Sequence, residues 1–226
     1  MMNWFTRQLV WGFDTILLAL LVIACEREIP PLTEPVTISG YRVEGVVTDR
    51  LGNPVRGISV VVHYDYDLVN EGPEPSKAFE VVDPTKTIRV VVYDRKNRML
   101  RILFQGRVSP GTFVVEWDQR DGSGYPVPSG IYSVQYLVDG ETRKTYFVTV
   151  SGAVTARTDS MGRYVISDDN LPIGFSPVPL YSSNDNRYLG NYMISSYVVL
   201  EFLLEPRRIV GFTLTKDRIT RCDLKV

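Results

Sequence analysis

Short apolar runs separated by turn-forming residues constrain the fold of this chain more than any other feature. Beyond residue 36, the runs are rich in Val, Ile, Tyr, Phe and Thr, and Gly, Pro, Asn and Asp stand between them. The runs lack the 3.6-residue period of an amphipathic helix, and their close spacing favours antiparallel sandwiches over a βαβ sheet. The predicted strands are residues 41–48, 59–66, 87–94, 99–104, 112–117, 130–138, 144–150, 162–166, 195–204, 209–215 and 219–224.

This number of strands exceeds the roughly seven of a single immunoglobulin-type sandwich. The predicted fold class is therefore all-β, with two antiparallel β-sandwich modules of the Ig-like or transthyretin-like kind. Residues 175–194 separate two of the predicted strands and are expected to form a long irregular stretch, which is unusual in a compact domain.

The composition argues against several classes of function. Lys and Arg total 25 against 26 acidic residues, whereas nucleic-acid binding normally requires a basic face. The single histidine, His63, excludes multi-histidine metal sites. The two cysteines, Cys25 and Cys222, cannot supply a disulfide framework or a multi-thiolate zinc site, and Cys222 is most simply a buried strand residue. We therefore expect no nucleic-acid partner, no cofactor and no metal.

Residues 1–24 have the features of an export signal. Arg7 supplies positive charge, and the run Thr15–Ala24 (TILLALLVIA) is apolar. An apolar helix of this length rises about 15 Å, roughly half of a membrane's hydrocarbon core. A cleavable signal peptide therefore fits better than a spanning helix. An uncleaved N-terminal anchor helix is the alternative.

The residues Val22-Ile23-Ala24-Cys25 resemble the lipobox of bacterial lipoproteins. The resemblance implies diacylglycerol on the Cys25 thiol and cleavage between Ala24 and Cys25. Residues 25–39 then form a tether, polar and proline-rich over 26–35. This predicts a protein of the bacterial cell envelope that is held to the membrane by the lipid on Cys25. The outer membrane is the expected location, with the body facing the periplasm or the cell surface.

A second resemblance concerns the segment Val43–Val62 (VEGVVTDRLGNPVRGISVVV). It resembles the opening hairpin of carboxypeptidase regulatory-like domains, which are small transthyretin-like sandwiches without catalytic residues. Thr158–Tyr164 (TDSMGRY) and Leu171–Gly174 (LPIG) match two later motifs of that family. The resemblance implies one sandwich made from residues 40–67 and 151–226, with other residues between its two parts.

Those intervening residues carry a third resemblance. Residues 87–150 resemble the Ig-like domain of flagellar hook-capping proteins, which implies an Ig-like domain over residues 85–150. We expect this domain to be inserted into a loop of the first sandwich, since loop tips tolerate insertions. Three modules in series, with residues 151–226 folding separately, is the alternative. The matching segments are Val92–Asp94, Gly111, Trp117–Asp118, Asp121–Gly124, Pro126–Gly130 and Ile131–Tyr132.

Two short clusters could in principle bind a cation. His63, Asp65 and Asp67 alternate along one predicted strand and share a face, which suits a weak metal site. We favour a solvent-facing polar side, because no second histidine completes such a site. In WDQRDGSG, Asp118 and the Asp121–Ser123 segment suggest calcium, but the spacing is not that of an EF-hand. A turn, in which Asp accepts local hydrogen bonds and Gly adopts positive φ, is favoured.

The best candidate for ligand binding is the segment 181–192 (YSSNDNRYLGNY). Its tyrosines offer stacking faces and its amides offer hydrogen bonds, a mixture found at protein and glycan interfaces. A polar loop whose tyrosines pack on the sandwich is the alternative. The candidate binding residues are Tyr181, Asn184, Asn186, Tyr188 and Tyr192.

Taken together, these patterns predict a non-enzymatic, membrane-anchored envelope lipoprotein. It would act as a structural, assembly or protein-interaction module with an envelope protein as its partner. A glycan-binding or adhesion lipoprotein that binds polysaccharide through the 181–192 segment is the alternative. The sequence shows no nucleophile elbow and no phosphate-binding glycine loop, so we predict no catalytic residues.

Overall fold

The regular secondary structure of the described residues is almost entirely β-strand, which confirms the predicted all-β fold class. The computed structural model describes residues 38–70, 73–175, 178–181, 185 and 187–226, and the side chains of residues 67–70 lie outside that description. The strands are β1 (Tyr41–Thr48), β2 (Ser59–Asn70), β3 (Phe79–Val81), β4 (Ile88–Tyr93), β5 (Met99–Gly106), β6 (Gly111–Phe113), β7 (Gly130–Val138), β8 (Glu141–Val150), β9 (Ala153–Arg157), β10 (Arg163–Ile166), β11 (Val178–Tyr181), β12 (Tyr188–Phe202), β13 (Arg208–Thr213), β14 (Arg218–Arg221) and β15 (Leu224–Lys225).

Helical structure is confined, in the residues described, to one short 3₁₀ helix at Asp168–Asn170. No helix in that part of the chain is long and apolar enough to cross a membrane. The predicted signal segment 1–24 and tether residues 25–37 lie outside the described residues.

The predicted strand bounds hold where apolar and polar residues alternate. Strands β1 and β7 have the predicted ends. The expectation of a long irregular stretch at 175–194 is wrong, because β11 lies within it and β12 begins at Tyr188. Strand β12 shifts register against β2 between Asn191 and Tyr192 and again between Ile194 and Val198. Such bulges interrupt the two-residue period on which the sequence prediction depends.

Most strands belong to one nine-stranded sheet with the order β5-β4-β7-β8-β11-β12-β2-β9, in which β13 also pairs with β12. A second sheet has the order β10-β1-β14, with β15 also on β1, and β3 pairs with β6 separately. The pairs β1–β14, β1–β15 and β8–β11 are parallel, so the architecture is not purely antiparallel. Strands β2 and β9 are neighbours although residues 71–152 separate them in sequence.

Two apolar cores lie against opposite faces of the nine-stranded sheet. The first core packs β1 and β10 onto β2 and β12, and it includes Ile131 of β7. The second core lies between β4, β7 and β8 on one side and β3 and Trp117 on the other, and it includes Tyr132 of β7. Since consecutive residues of a strand point to opposite faces, the neighbours Ile131 and Tyr132 place the two cores on opposite faces.

The close approach of β1 to the chain segment after β14 requires a glycine. A Cβ atom at Gly45 would overlap the backbone carbonyl of Cys222. That carbonyl accepts a hydrogen bond from the Tyr164 hydroxyl at 2.7 Å, and Cys222 itself is buried, as the sequence predicts. The second sheet is therefore joined tightly where its parallel strands meet β1.

Candidate functional site

The predicted binding tyrosines do not form one surface. Tyr181 is only 4% exposed and packs into the second core, where its ring lies 5.6 Å from that of Tyr188. The Lys77 ammonium lies 4.6 Å from the centre of the Tyr181 ring, and burial raises the pKa of the Tyr181 hydroxyl above its ordinary value. Tyr181 and Tyr188 therefore contribute to the packing of the second core.

Tyr192 lies apart from this pair. Its ring is 5.7 Å from that of Tyr66, which packs against the first core, and its hydroxyl donates to the Leu189 carbonyl at 3.0 Å. Burial raises the pKa of Tyr66 to about 12. Opposite β11, strand β12 has one extra residue, Leu189, between the Leu180–Gly190 and Tyr181–Tyr188 pairs, and this register shift interrupts the two-residue period between Tyr188 and Tyr192. The remaining predicted site residues, Cys25, Asn184 and Asn186, lie outside the described residues.

His63 makes a cross-strand contact that sequence reasoning missed. Its Nε2 lies 2.9 Å from Oε2 of Glu201 on β12, and Arg207 donates to the other carboxylate oxygen at 2.8 Å. The contact with His63, followed by the charge of Arg207, lowers the pKa of Glu201 below its ordinary value. Only the register of β2 on β12 brings these residues together, so no local sequence signal could have found the pair.

The remaining members of the HYDYD cluster do not converge on a cation site. The Asp65 carboxylate accepts a hydrogen bond from Ser195 at 3.2 Å, and the side chain of Asp67 lies outside the described residues. In the part of the chain that the structure describes, no three His, Cys, Asp or Glu side chains are grouped so that they could hold a metal ion.

The WDQRDGSG segment forms the predicted turn. The Asp121 carboxylate accepts the backbone N–H groups of Ser123 and Tyr125, both at 2.9 Å, and Gly124 has a φ of +83°. The Asp118 carboxylate accepts from Arg101 at 2.8 Å. The same local pattern of carboxylate and backbone bonds recurs in the turns that begin at Asp49, Asp94 and Asp159. These carboxylates therefore stabilise hairpins.

Strand register defines an ordered surface on the Ig-like sheet, which consists of β5, β4, β7 and β8. Tyr132, Val134 and Tyr136 point into the second core. The alternate residues point the other way and form what we call the outer Ig-like face. Its residues lie in three rows given by strand pairing: Met99, Tyr93, Ser133 and Phe147; Ile102, Val91, Gln135 and Thr145; and Gln105, Arg89 and Leu137.

The outer Ig-like face is partly apolar and includes exposed apolar side chains. Met99, Phe147 and Ile102 are 53%, 49% and 41% exposed. Ile102 is the cross-strand partner of Val91, which is fully buried although it belongs to this face. Aromatic residues and Met are enriched at protein–protein interfaces, and clustered exposed apolar side chains mark interaction sites. This arrangement suits contact with another macromolecule better than it suits chemistry.

Comparison with known proteins supports the Ig-like part of the description. The family model described as the FlgD Ig-like domain matches residues 69–139, which is less than half of the chain and includes β3 to β7. That family is a non-catalytic structural domain, and its match suggests a structural or interaction module. No curated protein matches this chain.

Among solved structures, the chain is similar to one titled "The Bacillus anthracis TIE protein", with 7% sequence identity and a TM-score of 0.19. The alignment covers 83% of this chain and 50% of that protein, so this chain spans about half the length of its structural match. At this TM-score, the similarity supports no statement about fold or function.

Proposed function

We propose that this protein is a lipid-anchored, non-enzymatic interaction module of the bacterial cell envelope. The observation that carries the proposal is the outer Ig-like face, a strand-ordered and partly apolar surface within the region that matches the FlgD Ig-like domain. Only the Ig-like assignment rests on the family match. The lipid anchor is proposed from the sequence alone, because the residues that end at Cys25 resemble a lipobox.

The continuity of the nine-stranded sheet supports a structural role. Strand β8 of the Ig-like sheet pairs in parallel with β11, and β11 pairs with β12, so backbone hydrogen bonds connect the Ig-like sheet to the strands of the first core. A hydrogen-bonded sheet resists bending more than a flexible linker between two separate domains. We propose that residues 40–67 and 151–226 form the supporting sandwich, with the Ig-like domain inserted, since β2 and β9 pair across the intervening segment.

The experiment that tests this function is chemical cross-linking of the full-length protein in its own envelope, followed by purification and mass spectrometry. We expect a stoichiometric protein partner with cross-links to β4, β5, β7 or β8. The intact mass of the purified chain should show an acylated N-terminus at Cys25. An unmodified Met1 would refute the anchor.

Two other outcomes would refute the interaction role. The first is recovery of the chain alone from repeated cross-linking. The second is co-purification of polysaccharide without protein, which would favour the glycan-binding alternative. Since Tyr181 is buried and Tyr192 is separated from Tyr188, a glycan would require Tyr188 and Tyr192 to act separately.

A further inference from the structure

Arg89 is a cation on the outer Ig-like face, and it has no carboxylate partner among the residues that the structure describes. It lies in the third row of the outer Ig-like face, between Gln105 and Leu137 in the strand pairing. None of the ion pairs formed by the described residues includes it. Its Nε atom is buried and has no hydrogen-bond partner.

Within the described part of the chain, the Arg89 guanidinium makes one hydrogen bond, from Nη2 to the Met99 sulfur at 3.4 Å. A thioether is a weak acceptor, so it replaces little of the hydration that the guanidinium loses. Arg89 and Met99 belong to the rows on either side of Val91. The Arg89 side chain therefore extends across the middle row, to which the fully buried Val91 belongs.

A protein surface with an under-satisfied guanidinium beside Met has the composition of an interface anchor. Arg, Met and aromatic residues are enriched in interfaces, and Arg and aromatic residues dominate their binding energy. The planar guanidinium presents parallel N–H groups that match the two oxygens of a carboxylate. A carboxylate brought to the exposed side of Arg89 would replace the weak bond between Nη2 and the Met99 sulfur.

We propose that the outer Ig-like face docks a partner protein through a segment that presents one Asp or Glu side chain to Arg89. Apolar side chains on either side of that carboxylate contact Ile102, Met99 and Phe147. The proposal rests on the proposed interaction function and adds the chemistry of its partner. The partner segment carries an apolar, an acidic and an apolar side chain at alternate positions. An extended strand places such side chains on one of its faces.

The test uses the full-length chain in detergent micelles and three fluorescein-labelled peptides. Their sequences are Ser-Leu-Ser-Xaa-Ser-Val-Ser, with Xaa as Glu, Gln or Lys. Leu, Xaa and Val are alternate residues, so they lie on one face of the extended peptide. Binding is followed by fluorescence anisotropy, with a titration of empty micelles subtracted. We expect the Glu peptide to bind about tenfold more tightly than the Gln peptide, which corresponds to about 1.4 kcal/mol.

Variants of Arg89 make the test specific. Arg89→Met should abolish the preference for the Glu peptide, and Arg89→Glu should reverse it in favour of the Lys peptide. Phe147→Ser should weaken the binding of all three peptides, since it removes apolar contact without changing charge. Arg207→Met is the matched control, because Arg207 is an exposed arginine that already pairs with Glu201, and it should leave the preference intact.

Several results would overturn the proposal. These are equal affinity for the three peptides, absence of binding up to about 1 mM, or a Glu preference that survives Arg89→Met in a chain with an unchanged melting temperature. A dimer in sedimentation experiments that Ile102→Lys dissociates would show that a second copy occupies the face. If the peptides fail but envelope cross-linking recovers a protein partner with cross-links to β4, β5, β7 or β8, the acidic recognition at Arg89 is wrong and the proposed function stands.

Discussion

The Nε2 atom of His63 lies 2.9 Å from Oε2 of Glu201, and this contact joins two strands whose residues are 138 positions apart in sequence. An ionised carboxylate can only accept hydrogen bonds, so Nε2 carries the proton in this contact. Arg207 donates to the second oxygen of the same carboxylate. Glu201 therefore has both oxygens occupied on a sheet face that is otherwise open to solvent.

We predict that Glu201→Gln lowers the free energy of unfolding by about 0.5–1 kcal/mol at pH 7. The folded-state pKa of Glu201 is lowered, chiefly by His63 and then by Arg207. The ionised form consequently stabilises the folded chain above the unfolded pKa, and this contribution is lost as pH falls through the folded value. Denaturant unfolding across a pH series should show the difference between variant and wild type closing as pH falls below the ordinary pKa range of a Glu carboxyl.

The control for this prediction is Glu141→Gln. Glu141 also pairs with an arginine, Arg143, but both side chains are exposed, so this substitution should change the free energy of unfolding little at any pH. If the difference in free energy of unfolding between Glu201→Gln and the wild type stays constant from neutral to acid pH, the loss of charge does not explain the effect of the substitution. A change in side-chain packing would then explain it.

A second prediction compares two glycines at equivalent positions of the Asp-initiated turns. Gly52 and Gly162 both have positive φ, +89° and +69°. A Cβ at Gly52 meets nothing within 4 Å, whereas one at Gly162 would overlap the Val47 carbonyl. Gly52→Ala should cost about 1 kcal/mol from backbone strain alone, and Gly162→Ala about 2–3 kcal/mol because strand β1 must also shift. Thermal unfolding of the two variants measures the difference, and equal losses would contradict it.

Local features of the fold could be predicted from sequence, because their causes lie within a few residues. The alternation along Tyr41–Thr48 predicted β1, and the Asp-Gly composition near Asp121 predicted a turn. Strand β11 could not be predicted. It has only four residues, and all of them are buried, so it shows no alternation between apolar and polar residues.

The candidate surfaces depended on information that the sequence does not carry. The hypothesis that Tyr181 and Tyr192 act together assumed a loop, but the structure places them on different strands, beside different cores. In the sequence, Arg89 is one charged residue within a predicted strand. Its importance appears only when register places it beside Leu137 and Gln105, with its side chain reaching Met99. Cross-strand register depends on distant residues, so no local pattern encodes it.

A third prediction separates packing from binding among the tyrosines. Tyr181→Ala should lower the free energy of unfolding by about 3 kcal/mol, because it removes a ring from the second core. Tyr192→Ala should cost about 1 kcal/mol or less, since Tyr192 is only partly buried and its ring makes one edge contact with Tyr66. Urea unfolding monitored by fluorescence gives both values. Similar losses would mean that Tyr192 is as important for packing as Tyr181.

The last prediction concerns the bond between the Tyr164 hydroxyl and the Cys222 carbonyl, which is 2.7 Å long and buried. Tyr164→Phe keeps the ring and its contact with Phe202 but leaves the carbonyl one donor short. A buried acceptor without its partner costs about 1–2 kcal/mol, and we expect that loss in the free energy of unfolding. Tyr125→Phe removes a hydroxyl from an exposed ring and should change nothing measurable. If both variants unfold like the wild type, Gly45 and backbone pairing alone hold β1 against the segment after β14.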